Sequence, residues 1–473
     1  PSRAGPCPRT QNSIERASPF GRAAHALGER PPAVATLSVR AVSVSVVLSS
    51  APSAPVPAST TDAAQRAIAE LPVDASAVVL GAPGTGKTTA LLARVRALID
   101  AGVRVDEVLV LTPSRRTATV LRDRLALAVD VASDGALARS MTSFAFQIVR
   151  AAEVRAAGEP PHLLAAGDQD RIIADLLAAD IDDPEHASIA WPTAIGPQVR
   201  ASREFRTELR TLIAECTESG VDARALRELA ARRGSAAWGA AASFLTQYRR
   251  TLAAMRASAR DASDLLREAG VLLERSPRGA EGERVLGAPG RLRAVLVDDA
   301  QELTRGGVDI VRGLRERGVA VMAFGDPDIA SGSFRGASPA EFSRLCDLLG
   351  AVHVLDAPHR AAPGLVRLTR VVTAAIGAAG RVDHRRAPAP RDDTDPSVRA
   401  MLAASPFEEV DAIARAVREW HLLDEIPWSR IAVIAHDTRQ VADLEAELAA
   451  REVPTRAAGV QRPLGREQVV RDL

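Results

Sequence analysis

The segment 81–88, Gly-Ala-Pro-Gly-Thr-Gly-Lys-Thr, constrains this chain more than any other, because it satisfies GxxxxGK[ST] in full. Such a loop works only between a buried strand and the first turn of a helix. There, backbone N–H groups and the helix dipole converge on phosphate oxygens. The flanks comply: residues 77–80 are a short apolar run suited to a buried strand, and 87–100 read as a helix. The expected ligand is ATP with Mg²⁺. The segment Gly81, Ala82, Pro83, Gly84, Thr85, Gly86, Lys87, Thr88 and Thr89 would cradle the phosphates. Lys87 would lie on the β- and γ-phosphates, and Thr88 would ligate the metal. Lys87 is also the single lysine among 60 Lys and Arg residues. A chain that writes arginine wherever positive charge suffices keeps lysine where a compact ammonium on a slim stem is needed.

A phosphate loop of this kind needs an acidic partner at the end of another strand. The segment 294–301, Ala-Val-Leu-Val-Asp-Asp-Ala-Gln, supplies it. Asp298 would reach Mg²⁺ through water, and Asp299 would polarise the attacking water. Further apolar runs at 108–112, 292–297 and 319–324 alternate with helical stretches, so a parallel α/β sheet is expected. The region 151–285 differs. Phe205, Leu209, Leu212, Ile213 and Cys216 fall on one helical face that Gly220 can end, and Ile172, Ile173, Leu176 and Leu177 form a similar stripe. It reads as a helical insertion within the α/β domain. Beyond it, 383–396 is a polar, Pro-rich linker, 409–420 and 441–451 read as helices, and 431–435 as a strand. Residues 1–60 read as a disordered or low-complexity leader.

Composition excludes several classes. No apolar run approaches the ~18–20 residues of a membrane helix. Cys7, Cys216 and Cys346 are widely spaced without a CxxC or Cys/His pattern, which argues against zinc, an iron–sulfur cluster or a disulfide framework. Reduced thiols in the cytoplasm are the expectation. A net charge of +1 does not announce nucleic-acid binding, so any basic groove must be local. His353, His359 and His384 show no metal-ligand spacing.

The order and character of these segments resemble the superfamily 1 helicases of the UvrD/PcrA/Rep type, over roughly residues 60–473. Thr-Asp-Ala-Ala-Gln-Arg at 61–66 resembles the Q motif, which implies that Gln65 reads adenine. Thr112, Pro113 and Arg115 in one segment, and Ser143 and Phe144 in another, resemble elements that touch single-stranded DNA. The segment 324–337 resembles motif III, with Phe334 and Arg335 as a base-stacking pair on DNA. His359 and Arg360 sit where the family has Tyr-Arg, which implies adenine stacking by His359 and an arginine finger in Arg360. The resemblance implies a RecA-like motor domain over 61–150 and 286–350, the insertion over 151–285, and an incomplete second RecA-like domain over 351–473. It implies an ATP-driven helicase acting in DNA repair or recombination on single-stranded or tailed duplex DNA, with a second helicase–nuclease subunit as partner and no membrane.

The departures from the family pattern carry their own expectation. Motif II ends in Asp298-Asp299 where Asp-Glu is usual, Ile329 stands where a glutamine senses the γ-phosphate, and Gly332 replaces a stacking aromatic. Weak hydrolysis by a non-motor subunit is therefore the alternative. An unrelated transporter-type ATPase lacks support, because no LSGGQ-like segment is present. A RecB-type nuclease centre needs a lysine, and the only one is in the phosphate loop. Motifs V and VI are not visible, so residues 1–473 alone are not expected to unwind duplex DNA.

Overall fold

The computed structural model describes residues 43–48, 61–129, 135–183, 188–255, 258–332, 336–377, 381–386, 395 and 397–456. They fall into two units, one drawing on 57–360 and 373–388, the other on 34–56, 361–372 and 389–473.

The first unit is built on six strands: β1 Ala77–Gly81, β2 Val108–Thr112, β3 Ala138–Ser140, β4 Ala294–Val297, β5 Ala320–Gly325 and β6 Ala351–Leu355. Their order is β3-β2-β4-β5-β1-β6, and every pair is parallel. Leu80 lies opposite Gly325, and Val297 opposite Ala323, so the carboxyl ends of β1, β4 and β5 open side by side. The central strands are apolar throughout because both of their faces are covered. Alternate residues feed two cores. Val78, Leu80, Leu109, Leu111, Val295 and Val297 face one; Ala77, Val79, Val108, Val110, Ala294 and Leu296 face the other.

The helices of this unit used below are α1 Ala63–Ala69, α2 Lys87–Asp100, α3 Arg115–Ala128, α4 Met141–Arg155, α5 Ala166–Asp182, α6 Arg203–Glu218, α7 Ala223–Arg233, α8 Ala236–Met255, α9 Ala262–Arg275, α10 Arg305–Glu316 and α11 Pro339–Leu349. Helices α1, α2 and α3 cover one face of the sheet through Ile68, Leu91, Val95, Leu98, Leu121 and Leu125. Helices α4, α9, α10 and α11 cover the other. The expected α/β parallel sheet is therefore present.

Helices α5 to α8 form a separate apolar cluster around Ile173, Phe205, Leu209, Ile213, Phe244 and Tyr248. The stripe expected on α6 is buried as a whole. Gly220, at φ +67°, follows the end of that helix, where Val221 N–H bonds back to Cys216 O at 2.8 Å. That return bond from a left-handed glycine is a standard way to satisfy the last carbonyls of a helix. Cys216 and Cys346 are buried and unpaired.

Four expectations need correction. Residues 351–355 do not open the second domain: β6 is an edge strand of the first sheet, bonded to β1. Residues 262–286 lie within the supposed insertion but pack in the motor core, through Leu265, Leu266, Ala269, Leu273 and Leu286. The supposed leader contains a strand, Ser43–Leu48, which pairs antiparallel with Val398–Ala403 in the second unit. Residues 431–435 form no strand. Ile431 packs on a small core with Ala414 and Val417, while Ile434 is 91% exposed, and an apolar run becomes a strand only when it has a ladder partner. The helices expected at 409–420 and 441–451 are Pro406–Leu422 and Thr438–Ala449.

Candidate active site

The phosphate loop closes in the way its glycines require. Gly84 and Gly86 have φ of +86° and +85°, values that side chains other than glycine's rarely tolerate. A Cβ at Gly86 would overlap the Gln65 amide nitrogen and lie 3.5 Å from the His359 ring. The loop therefore has a cradle shape that depends on the missing side chain. Thr85 Oγ1 donates to Ala82 O at 2.9 Å, and Lys87 Nζ donates to Gly81 O at 2.6 Å and Ala82 O at 3.2 Å. The ammonium is thus held over the loop at the first residue of α2. Burial lowers the Lys87 pKa, the carboxylates of Asp326, Asp299 and Asp298 pull it back, and the Arg360 guanidinium lowers it further.

Thr88 Oγ1 lies 3.5 Å from Asp298 Oδ2, across the carboxyl ends of β1 and β4. A hydroxyl and a carboxylate at that spacing are hard oxygen donors of the kind magnesium takes. Burial and the neighbouring Asp299 push Asp298 up to about 6. Asp299 itself has φ +50°, an uncommon left-handed backbone for a residue with a side chain.

Gln65 and His359, 294 residues apart, meet on the other side of the loop. Asp62 caps α1 and pairs with Gln65 in a reciprocal capping box, which fixes the glutamine. The Gln65 amide lies 3.4 Å from Thr85 O and 3.2 Å from His359 Nε2. His359 Nε2 is also 2.8 Å from Asp62 Oδ2, and its backbone N–H donates to Gly84 O at 3.0 Å. Arg360 is exposed on the same segment. The structure thus brings Gln65, Asp298, Asp299 and His359 around the phosphate loop 81–89, with the Arg360 charge near enough to act on Lys87.

Three linking groups were not evident from sequence. Gln301 is buried; its Oε1 accepts from Asp326 N at 3.0 Å and its amide lies 3.4 Å from Asp299 Oδ1, so it ties motif II to motif III. Glu302 accepts from the backbone and hydroxyl of Ser331 at 2.7 and 3.0 Å. His384 Nε2 lies 3.2 Å from Asp326 Oδ1 and 3.0 Å from Asp328 Oδ2. Burial pushes the His384 imidazole down, but the two carboxylates outweigh it and hold it above its ordinary value. Asp326, Asp328 and His384 have metal-like spacing, yet Arg385 pairs with both oxygens of Asp328. The set is an internally neutralised ion-pair network. Only its aspartates carried a sequence signal, as part of motif III.

The residues assigned to DNA are less uniform. Arg115 is exposed and Pro113 half-buried at the start of α3, and Ser143 is half-buried in the first turn of α4. Thr112 is 1% exposed and its hydroxyl donates to Ser114 O at 2.9 Å, so its side chain shapes the turn. Phe144 must be corrected: it is fully buried and packs with Ile148 and Val149 on the sheet. Its place one helical turn before Ile148 puts it on the core face of α4. Phe334 and Arg335 lie outside the described residues. Ile329 is 41% exposed and its side chain offers no hydrogen bond, and a side chain at Gly332 would crowd Glu302 and lie 3.0 Å from Ala337 Cβ.

A phosphate loop at the carboxyl edge of a parallel sheet, with a threonine facing an aspartate on a nearby strand, defines a P-loop nucleotide hydrolase with a RecA-type core. The family is narrower. Residues 61–347 match the model of the UvrD/REP helicase N-terminal domain, more than half of the chain, and the chain belongs to that family of superfamily 1, ATP-dependent DNA helicases. No curated protein matches the chain significantly. No helix among the described residues is long and apolar enough to cross a membrane.

Proposed function

We propose that this chain is the ATP-binding motor lobe of a DNA translocase acting in repair or recombination in the cytoplasm. The observation that carries the reading is the approach of Thr88 to Asp298 at 3.5 Å, with Lys87 on the loop beside them. In this reading Gln65 and His359 hold adenine, the loop 81–89 binds the phosphates, and Thr88 and Asp298 hold Mg²⁺. The metal would supply charge neutralisation at the transferring phosphate. Asp299 orients the attacking water and takes its proton, and Arg360 stabilises charge in the transition state. Single-stranded or tailed duplex DNA runs past Pro113, Arg115 and Ser143, with Phe334 and Arg335 as the stacking pair. The unit containing Pro406–Leu422 and Thr438–Ala449 contributes part of a second RecA-like domain.

Within the family the motif set is most like the AdnA subunit of the actinobacterial AdnAB helicase–nuclease, which suggests a second helicase–nuclease subunit as partner. Ile329 and Gly332 favour a second reading, a subunit that binds ATP and DNA but hydrolyses slowly in support of that partner. Both readings require linked binding. A non-hydrolysable ATP analogue with magnesium should change the affinity for a labelled oligonucleotide, and the oligonucleotide should change nucleotide affinity by the same factor. Independent binding of the two ligands would overturn both.

A further inference from the structure

Glu218 is the last residue of α6, in the helical insertion, yet its carboxylate reaches helix α10 of the motor core. Its Oε2 accepts the backbone N–H of Gly306 at 2.8 Å, in the first turn of α10. The hydroxyls of Thr304 and Ser263 lie close enough to the same carboxylate to favour its charged form. Helix α10 begins where the loop 298–304 ends, and that loop carries Asp298 and Asp299.

Among the described residues, the side-chain bonds that otherwise tie this loop to distant segments go to the nucleotide site or to motif III, while Asp298 N–H donates to Leu111 O of β2 at 2.9 Å. Asp298 faces Thr88, Gln301 holds Asp326 N–H, and Glu302 holds Ser331. Glu218 supplies an anchor from the insertion. The loop has strain to restrain, because Asp299 sits at φ +50°. Such a conformation is strained and persists only where the surroundings over-determine it. The seat is also tight. A Cβ at Gly306 would stand 2.8 Å from Leu266 Cβ and 3.3 Å from Glu218 Oε2, so only glycine lets α10 approach α9 and the carboxylate this closely.

We propose that Glu218 is a positioning residue for ATP hydrolysis: by gripping the first turn of α10 it fixes the far end of the loop carrying Asp298 and Asp299, and so makes the attitude of Asp299 depend on the insertion. The inference rests on the ATPase reading above. Glu218 touches neither nucleotide nor water in this account and acts through the loop. Its burial carries a stability cost, because desolvation pushes the acid up to about 7. A neutral amide of the same shape would avoid that cost while still accepting the Gly306 bond.

The test compares wild type with Glu218→Ala, Glu218→Gln and Gly306→Ala in steady-state ATP hydrolysis at saturating single-stranded DNA, with KM and kcat resolved. A misplacement of about 1 Å remote from the chemistry can cost on the order of 100-fold, so Glu218→Ala should lower kcat at least about tenfold with KM changed less than about twofold. Glu218→Gln should recover most of the lost kcat. Gly306→Ala should reproduce the kcat loss with the carboxylate intact, and it serves as the deciding variant where Glu218→Ala does not fold. The proposal is overturned if either folded variant keeps the wild-type kcat and loses only melting temperature, or if Glu218→Gln is as slow as Glu218→Ala. A wild-type chain without ATPase activity overturns the parent reading and this one with it; a hydrolysing wild type matched by Glu218→Ala overturns this one alone.

Discussion

Replacing Gly86 by alanine probes the nucleotide cradle at its narrowest point. Two costs follow from the structure. Backbone at φ +85° with a Cβ costs about 1–2 kcal/mol. The new methyl also overlaps the Gln65 amide and stands 3.2 Å from its side-chain carbonyl carbon, so a buried glutamine must leave Thr85 O. Breaking up that buried polar arrangement adds about 1–3 kcal/mol. The sum is about 2–5 kcal/mol of stability, and Gln65 and His359 no longer frame the side of the loop where adenine is proposed to bind. Gly102→Ala is the matched control: φ is +87° there too, but a Cβ meets nothing within 4 Å. It should therefore incur the backbone cost alone. Thermal melts and calorimetric titration with a magnesium–ATP analogue on both variants separate the two terms. The expected result is a larger melting-temperature loss for Gly86→Ala, together with nucleotide affinity lowered at least about tenfold, which corresponds to about 1.4 kcal/mol. Gly102→Ala should bind nucleotide as wild type does. Equal destabilisation by the two variants with nucleotide affinity retained in both would refute the cradle.

Three further outcomes are expected. Lys87→Ala should weaken binding of the magnesium–ATP analogue by about 1.5–3 kcal/mol, since no other lysine can reach the phosphates, and calorimetry reads it directly. Asp299→Glu with Ile329→Gln should raise DNA-stimulated hydrolysis, with a non-additive double-mutant cycle because both positions serve one site; a double variant no faster than its parent contradicts that view of motifs II and III. Glu218→Gln should stabilise the chain above neutral pH. The folded acid is raised from 4.5 to about 7, so the folded state holds its proton more tightly than the unfolded chain. The wild-type contribution is therefore complete below the unfolded value and lost as pH rises through about 7, leaving the amide variant ahead by about 1–2 kcal/mol at pH 8 after discounting for solvent access. Denaturant melts at pH 5 and pH 8 should show the gap only at the higher pH.

The sequence carried the phosphate loop, the acidic strand end and the helical stripes because each is a local pattern. The loop 81–88 demands its strand and helix, and α6 shows its core face as a 3.6-residue repeat. Sheet membership was less legible. A parallel strand is fixed by partners far along the chain, so residues 351–355 looked like the start of a new domain until their pairing with 77–81 was seen. Phe144 was misread because sequence order places it beside Ser143, whereas a helix turns adjacent residues about 100° apart and points this one into the sheet. Helix α9 was assigned to the insertion for a related reason: its apolar stripe is visible, but the sheet it covers is not. Glu218 and His384 had no local signature at all. Their partners lie 88 and 56 residues away, and a lone buried acid or imidazole acquires meaning only from what faces it.

The proposal that Lys87, Asp298 and Arg360 act together in ATP hydrolysis stimulated by DNA has a direct test. The most direct measurement is the steady-state rate of ATP hydrolysis by the chain with magnesium, with and without a single-stranded oligonucleotide, and with Lys87→Ala as the background. A basal rate that the oligonucleotide raises on the order of 10-fold, about 1.4 kcal/mol off the barrier, and that Lys87→Ala abolishes, is the expected result. A rate unaffected by DNA, or one that survives in Lys87→Ala, would contradict it.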